Sequence, residues 1–331
     1  MGNCHEAVSP VKDADFRAIN YQEELNHFYV ICIVPNPAKS PALTKLYLKF
    51  KKQMESDGVK LVTVECAFGK SPFVLTRENY EPDNIQIRSS NAFFQKENLI
   101  NIALTKLPKD AKYVFWVDCD MEFLNTNWTK DAINALNRYR AIQLFEEIIF
   151  TDENGKEKER EKGFTFQLCD KKTNELYGRT FEESTAMARY AWGFRYETLK
   201  QLKGLIDFSI IGNNSKIMAY CFIQNVEKYV PSNMSLVFRE AIETWQTRAE
   251  LTLNNKISYL PGAIKMPYSK LKQDEKMDDN WSILQTNGFD HLNDLYKDAQ
   301  GLYCLEKEKT NLIKELKDFY DGITKEGNCV I

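Results

Sequence analysis

Two aspartates one residue apart, Asp118 and Asp120, close the run Tyr113-Val114-Phe115-Trp116-Val117. The run has the length and the β-branched and aromatic content of a buried strand. Alternate side chains of an extended backbone share a face. The spacing therefore predicts Asp118 and Asp120 on one side and Cys119 on the other. Two carboxylates held that close repel unless a cation stands between them. Hard oxygen donors suit Mg2+ or Mn2+, and a metal held by one or two carboxylates completes its shell from water and substrate phosphates. The pair thus points to a phosphorylated donor, a nucleotide sugar first. A strand leaving the core for a polar turn would look the same, so the neighbouring elements have to decide.

Those elements read as follows. Phe28–Val34 is a buried strand, stopped by Pro35-Asn36-Pro37. Leu43, Leu46, Tyr47 and Phe50 recur at helical spacing over Leu43–Ser56. Val59–Val64 is a second strand ending at Glu65, and Ile85–Arg88 a short third. Ser90 or Asn91 can cap a helix whose inner face is Leu99, Ile100, Ala103, Leu104 and Leu107, closed by Pro108. The aspartate strand follows. This is the rhythm of a parallel sheet with covering helices, in which ligands bind at the carboxyl ends of the strands. Pro35, Asn36, Glu65, Arg88, Asp118 and Asp120 all fall at those ends. Neither G-x-G-x-x-G nor a Walker A sequence occurs, so phosphate handling falls to a metal and to Lys96.

Farther on, the pattern predicts a helix from Trp128 to about Arg138, a strand over Ala141–Phe150 and a strand over Phe164–Cys169. The charged stretch 151–162 reads as a solvated hairpin tip or loop. A helix is expected near 196–203 and another over Met218–Val226, and 276–300 and 305–321 read as amphipathic helices. Tyr268 and Lys270 are further pocket candidates.

The 44 basic and 47 acidic residues of this 331-residue chain leave a net charge of −3, which gives no reason to expect nucleic acid as a partner. The longest apolar run near the start, Phe28–Val34, is too short to span a bilayer, and no secretory signal opens the chain. The expectation is a cytoplasmic protein (host cytoplasm if the source is viral) with silent sequons at Asn127, Asn213 and Asn233. Met1-Gly2-Asn3-Cys4 hints at acylation, but Glu6 stands where Ser or Thr is wanted, so peripheral membrane association is the weaker expectation. The eight cysteines show no C-x-x-C spacing, which disfavours zinc and fits a reducing compartment. None of the three histidines lies near a motif, which disfavours a histidine triad.

Several segments taken in order resemble the GT-A glycosyltransferases, and within them a group of phage, viral and bacterial transferases. They are Phe28–Pro37, Val62-Thr63-Val64-Glu65, Phe94–Asn101, Trp116–Asp120, Tyr190–Phe194, Gly204–Asp207 and Ile210-Ile211-Gly212. The resemblance implies an α/β, Rossmann-like fold with a mostly parallel central sheet flanked by helices and a helical C-terminal extension. It divides the chain into a lead-in (1–24), a nucleotide-sugar-binding half (25–150), an acceptor-side half of the same domain (151–275) and the extension (276–331). It implies that Pro35 and Asn36 flank the nucleobase and that Glu65 approaches base or ribose. Lys96 would reach the diphosphate or donor sugar, Asp118 the ribose or the metal, and Asp120 the metal. Trp192 and Gly193 would shape the acceptor side. The cofactor is then Mn2+ or Mg2+, the donor a UDP- or GDP-linked sugar, and the acceptor a glycan or glycoprotein.

Two departures weaken the pattern. Ser215 stands where the family often carries an acid, and Ile264–Tyr268 holds no histidine ligand. An inverting transfer needs a base within reach of the acceptor hydroxyl, and Asp207 is the nearest candidate. A retaining enzyme, or a degenerate protein that binds nucleotide or carbohydrate without turnover, fits these losses too. A phosphatase of the haloacid dehalogenase type also places D-x-D after an apolar strand. It is disfavoured because Glu122 stands where Thr or Val is expected and three strands precede the motif.

Overall fold

The computed structural model describes residues 20–35, 37–76, 83–90, 93, 95–169, 187–277 and 280–326. After a short helix, α1 (Tyr21–Leu25), the first half runs β1 (Phe28–Pro35), α2 (Pro41–Ser56), β2 (Lys60–Phe68), β3 (Asn84–Ser89), α3 (Lys96–Lys106), β4 (Tyr113–Val117), β5 (Glu122–Phe123) and α4 (Trp128–Arg138). It continues with β6 (Ala141–Gln143), β7 (Glu147–Thr151), β8 (Glu157–Lys162), α5 (Phe164–Cys169), β9 (Ala191–Arg195), α6 (Tyr196–Leu202), α7 (Asn214–Phe222) and α8 (Leu236–Leu253). The last elements are β10 (Ile257–Tyr259), β11 (Ala263–Pro267), α9 (Tyr268–Met277), α10 (Trp281–Thr286), α11 (His291–Asp294), β12 (Leu295–Lys297), β13 (Tyr303–Leu305) and α12 (Thr310–Glu326).

Seven strands form the central sheet in the order β10-β6-β9-β4-β1-β2-β3. β1 is parallel to β2 and β4, β2 to β3, and β6 to β10; β9 alone is reversed between β4 and β6. This is the α/β architecture with a mostly parallel sheet that the sequence predicts. β1 shows why it forms. All eight of its residues are buried, and alternate side chains enter two cores. Tyr29, Ile31 and Ile33 pack with α3, while Phe28, Val30, Cys32 and Val34 pack with α2 and α4. The C-terminal helices belong to the α3 side, where α10 and α12 add Trp281, Leu284, Leu312, Leu316 and Tyr320 to the same core. A second sheet, β5-β11-β7-β8, stands beside the acidic turn. No helix of the described residues is long and apolar enough to cross a membrane.

Several local expectations change. Glu65 is not at the end of β2, because pairing with β3 continues to Phe68 opposite Ser89. The strand expected over Ala141–Phe150 is two strands in different sheets, broken at 144–146. The strand expected over Phe164–Cys169 is a helix; its first turn is fixed by the Gln143 side-chain oxygen, which accepts from the Thr165 amide (3.0 Å) and hydroxyl (2.9 Å). Part of the charged stretch 151–162 is ladder rather than loop, since 157–162 pairs with β7. The 276–300 region breaks into two short helices and the first strand of a hairpin. Helix α3 starts at Lys96, later than Ser90 would cap it. Gln95 just before it is fixed by both of its amide atoms bonding the Tyr303 backbone at 2.9 Å.

Candidate functional site: the acidic turn at the ligand edge of the sheet

β4 ends at Val117, and the two aspartates lie in the turn that follows rather than on extended backbone. The Asp118 N–H donates to the Tyr190 carbonyl at 3.2 Å, and the Met121 N–H donates back to the Asp118 carbonyl at 3.2 Å. Both carboxylates are half-buried, while Cys119 is buried among the residues that pack on α2 and α4. The Cys119 thiol is pushed well above its ordinary value, first by its hydrogen bond with Cys32, then by burial and the two flanking carboxylates. Tyr190, which anchors the turn, has φ +80°. A bulky residue in that region costs roughly 1–3 kcal/mol and persists only where the surroundings over-determine it. Here the hydrogen bond from Asp118 and ring contact with Phe150 do so.

The start of α3 supplies the opposite charge. Lys96 Nζ contacts Asp118 Oδ1, with side chains only 20% and 14% exposed. Its neighbour Glu97 is buried. Burial pushes the Glu97 carboxyl up, opposed by the charge of Lys96, a hydrogen bond from Asn214 and the charge of Arg189. Asn214 Nδ2 lies 3.3 Å from Glu97 Oε2 and donates to the Ser209 carbonyl at 2.8 Å. The Ser209 hydroxyl donates to Asn213 Oδ1 at 2.6 Å. Asn213 is completely buried, which removes that sequon from the surface of the folded chain. Ser215, at the position where the family often carries an acid, faces the apolar side chains of Trp116, Trp192 and Met218.

The other expected site residues divide. Pro35 is buried at the end of β1, and Asn36 lies outside the described residues. Glu65 turns inward and is 0% exposed. Its Oε1 accepts from the Val74 N–H (2.6 Å), and its Oε2 from the Thr76 N–H (2.8 Å) and hydroxyl (2.6 Å). It therefore anchors the 74–76 segment instead of turning to a nucleotide. Arg88 does similar work for the segment before it, donating to the Gly69 and Ser71 carbonyls at 2.7 Å with its guanidinium over the Phe73 ring.

Asp207 is a clamp. Its oxygens accept from Asn98 (3.1 Å), Asn101 (2.9 Å) and the Tyr303 hydroxyl (3.2 Å). Burial and the Asp207 charge push the Tyr303 phenol up in turn. Trp192 lies in the core with its indole N–H donating to the Ala188 carbonyl at 2.7 Å. Gly193 faces Phe115 across the β4–β9 pair, and a Cβ there would lie 2.3 Å from the ring. Both residues build the floor under the turn. Tyr268 comes closer: β11 pairs Lys265 with Glu122, and Tyr268 packs on the apolar cluster that holds Cys119 and Met121.

Glu97, Arg189 and Tyr190 were missed as site residues. The burial of Glu97 and Arg189 and the positive φ of Tyr190 are visible only in the fold. Among the described residues, no three carboxylate, thiol or imidazole side chains are arranged to hold a metal ion. The two aspartate carboxylates are the donors the turn would offer a cation. They fit a hard cation that keeps water and phosphate oxygens as its other ligands, not one caged by protein.

No family model and no curated protein sequence matches the chain. Solved structures do. The catalytic domain of Drosophila β1,4-galactosyltransferase 7 with xylobiose is 13% identical, covers 60% of this chain and has a TM-score of 0.32. This chain spans 62% of that domain. Glucosyl-3-phosphoglycerate synthase from Mycobacterium tuberculosis, solved with Mn2+, UDP-glucose and phosphoglyceric acid, is 9% identical over 89% of this chain and 92% of its own, with a TM-score of 0.39. Mannosyl-3-phosphoglycerate synthase from Rubrobacter xylanophilus is 8% identical over 87% of each chain, with a TM-score of 0.36. The solved structures that the chain resembles include GT-A nucleotide-diphospho-sugar transferases.

Proposed function

We propose that the chain is a metal-dependent glycosyltransferase, moving a hexose or pentose from a UDP- or GDP-linked donor to a hydroxyl of a glycan or glycoprotein. The observation that carries this reading is the half-buried acidic turn, Asp118 and Asp120, where β4 ends at the ligand edge of a parallel sheet, with Lys96 on Asp118. Asp120 and Asp118 would hold Mn2+ or Mg2+. Such an ion supplies positive charge for the diphosphate that departs as the glycosidic bond breaks.

The chain's own groups do the rest. Lys96 stands as a movable point charge, held by Asp118 until phosphate oxygens compete for it. Glu97 and Asn214 tie the start of α3 to the 209–214 loop, which fixes the backbone from which Lys96 extends. The strained Tyr190 backbone holds the turn in place. None of these side chains is a free base. Asp207 already accepts three hydrogen bonds. That favours a second reading, nucleotide binding without transfer.

A thermal-shift panel of UDP, GDP and their sugar conjugates separates the possibilities, because a ligand of the native state raises its melting temperature by mass action. Stabilisation that needs Mn2+ and disappears in Asp118→Asn/Asp120→Asn supports the site. Its absence with every nucleotide overturns both readings. Release of UDP or GDP from the stabilising sugar nucleotide with acceptor glycans then distinguishes transfer from binding alone.

A further inference from the structure

We propose a second ligand site, in the groove between α3 and α6, that takes a phosphorylated small molecule without a divalent cation. The groove holds about 600 Å³, within the usual range for small-molecule sites. Ile102, Leu199 and Leu205 give it an apolar floor, and Lys106, Lys200, Lys203 and Lys297 stand around it. Against four ammonium groups the lining offers one carboxylate, Asp207, which already accepts from Asn98, Asn101 and Tyr303. Lys200 is 3.6 Å from Glu197, and Lys297 is 3.6 Å from Asp207. Lys106 and Lys203 pair with no carboxylate among the described residues. A surplus of lysines over an apolar floor suits a ligand with phosphate at its edge and a ring body beneath.

The groove is not the acidic turn seen from behind. β4 and β9 are antiparallel, with Tyr113 opposite Arg195 and Val117 opposite Ala191. α6, beginning at Tyr196, therefore starts at the sheet edge opposite Asp118. α3 runs toward that edge, carrying Lys106 about 15 Å along the helix from Lys96 at 1.5 Å per residue. The lysines are strung along this flank.

Lysines near helix C-termini have an ordinary explanation in the helix dipole. It does not account for the wall they stand on, which is built rigidly. Lys203 caps α6 at φ +61°. A Cβ at Gly204 would meet Asn101 Oδ1 at 2.7 Å, so only glycine lets the loop approach α3 this closely. Asn101 bonds both the Leu205 N–H (2.9 Å) and carbonyl (3.0 Å), and the Trp245 indole donates to the Gly204 carbonyl at 3.0 Å.

The test uses the full chain in EDTA, titrated with ADP and with inorganic pyrophosphate and followed by melting temperature and calorimetry. A saturable, salt-sensitive shift is expected, larger for ADP if its ring uses the floor. Lys106→Glu/Lys203→Glu should weaken binding by roughly tenfold per lysine, the scale of one charge-assisted contact. The exposed position of both residues should leave the unliganded melting temperature unchanged; Lys106→Ala/Lys203→Ala replaces the pair should the reversal impair folding. Asp118→Asn/Asp120→Asn should bind ADP in EDTA as the parent does, even if Mn2+-dependent nucleotide binding is lost. No saturable shift with either probe overturns the proposal. So does a shift that survives the lysine changes, or one that vanishes with the aspartates.

Discussion

The turn after β4 and the β7–β8 hairpin are built from the same side chains, and only one of them is a candidate site. In the hairpin, Arg160 meets Glu147 and Glu157, and Lys162 lies 3.0 Å from both Glu146 and Glu147. Those cations are 42–44% exposed, and water does most of the screening. At the turn, Lys96, Asp118, Glu97 and Arg189 are drawn out of water into one cluster, where charge interactions are stronger and an unmatched charge is costly. The density of charge in a sequence therefore says little. What marks a site is charge that the fold has removed from solvent without cancelling its purpose.

The largest effect should come from the turn itself. Asp120→Asn should abolish Mn2+-dependent stabilisation by the donor nucleotide and lower any transfer by roughly 100-fold or more, since a bound cation contributes several kcal/mol. Melting temperature with and without Mn2+, and UDP release, are the measurements. Full retention of both would put the turn in the same class as the hairpin. Next comes a buried carboxylate with a purely architectural task. Glu65→Ala leaves the N–H groups of Val74, Leu75 and Thr76 without their acceptor. It should cost roughly 3 kcal/mol in denaturant titration, since each buried donor left without its acceptor costs about 1–3 kcal/mol. Limited proteolysis within 71–76 should become faster. An unchanged unfolding midpoint would mean that the segment does not depend on Glu65.

Much of this was legible in the chain. Continuous apolar runs gave β1, β2 and β4, helical spacing gave α2 and α3, and the parallel ligand edge followed from their order. Legibility failed where tertiary contacts override local pattern. Phe164–Cys169 has strand-like residues but is held helical by Gln143, 22 positions earlier. The Glu65 carboxylate reads as a strand end only until β3 extends the ladder past it. Asp207 has the right type and place for a base, yet its partners Asn98, Asn101 and Tyr303 come from two distant elements that no local spacing reveals. Glu97 was hidden by a sufficient local explanation, since an acid in the first turn of a helix is favourable wherever it points.

Glu97 gives the third test, a pH dependence. Its folded-state value is raised above the ordinary 4.5, first by burial. The protonated carboxyl therefore contributes stability that is fully present below pH 4.5 and is lost as the pH climbs through the raised folded value. The parent chain should lose melting temperature relative to Glu97→Gln as the pH rises through that window, because glutamine does not titrate and still accepts from Asn214. Parallel curves for the two proteins would show that Glu97 titrates alike in the folded and unfolded chain.

The smallest effect is expected in the hairpin, and its smallness is the point. Arg160 makes two ion pairs there, to Glu147 and Glu157, and one-sided removal would be severe if those pairs were buried. Its side chain is 44% exposed, Glu157 is 47% exposed, and Glu147 keeps Lys162 at 3.0 Å, so neither carboxylate is left both buried and unpaired. Arg160→Ala should therefore leave melting temperature and nucleotide binding at the parent values, and raising the salt concentration should change the parent no more than the variant. A loss comparable to that of Glu65→Ala would show that the hairpin charges are held away from water after all, and the contrast with the turn would then rest on ligand binding alone.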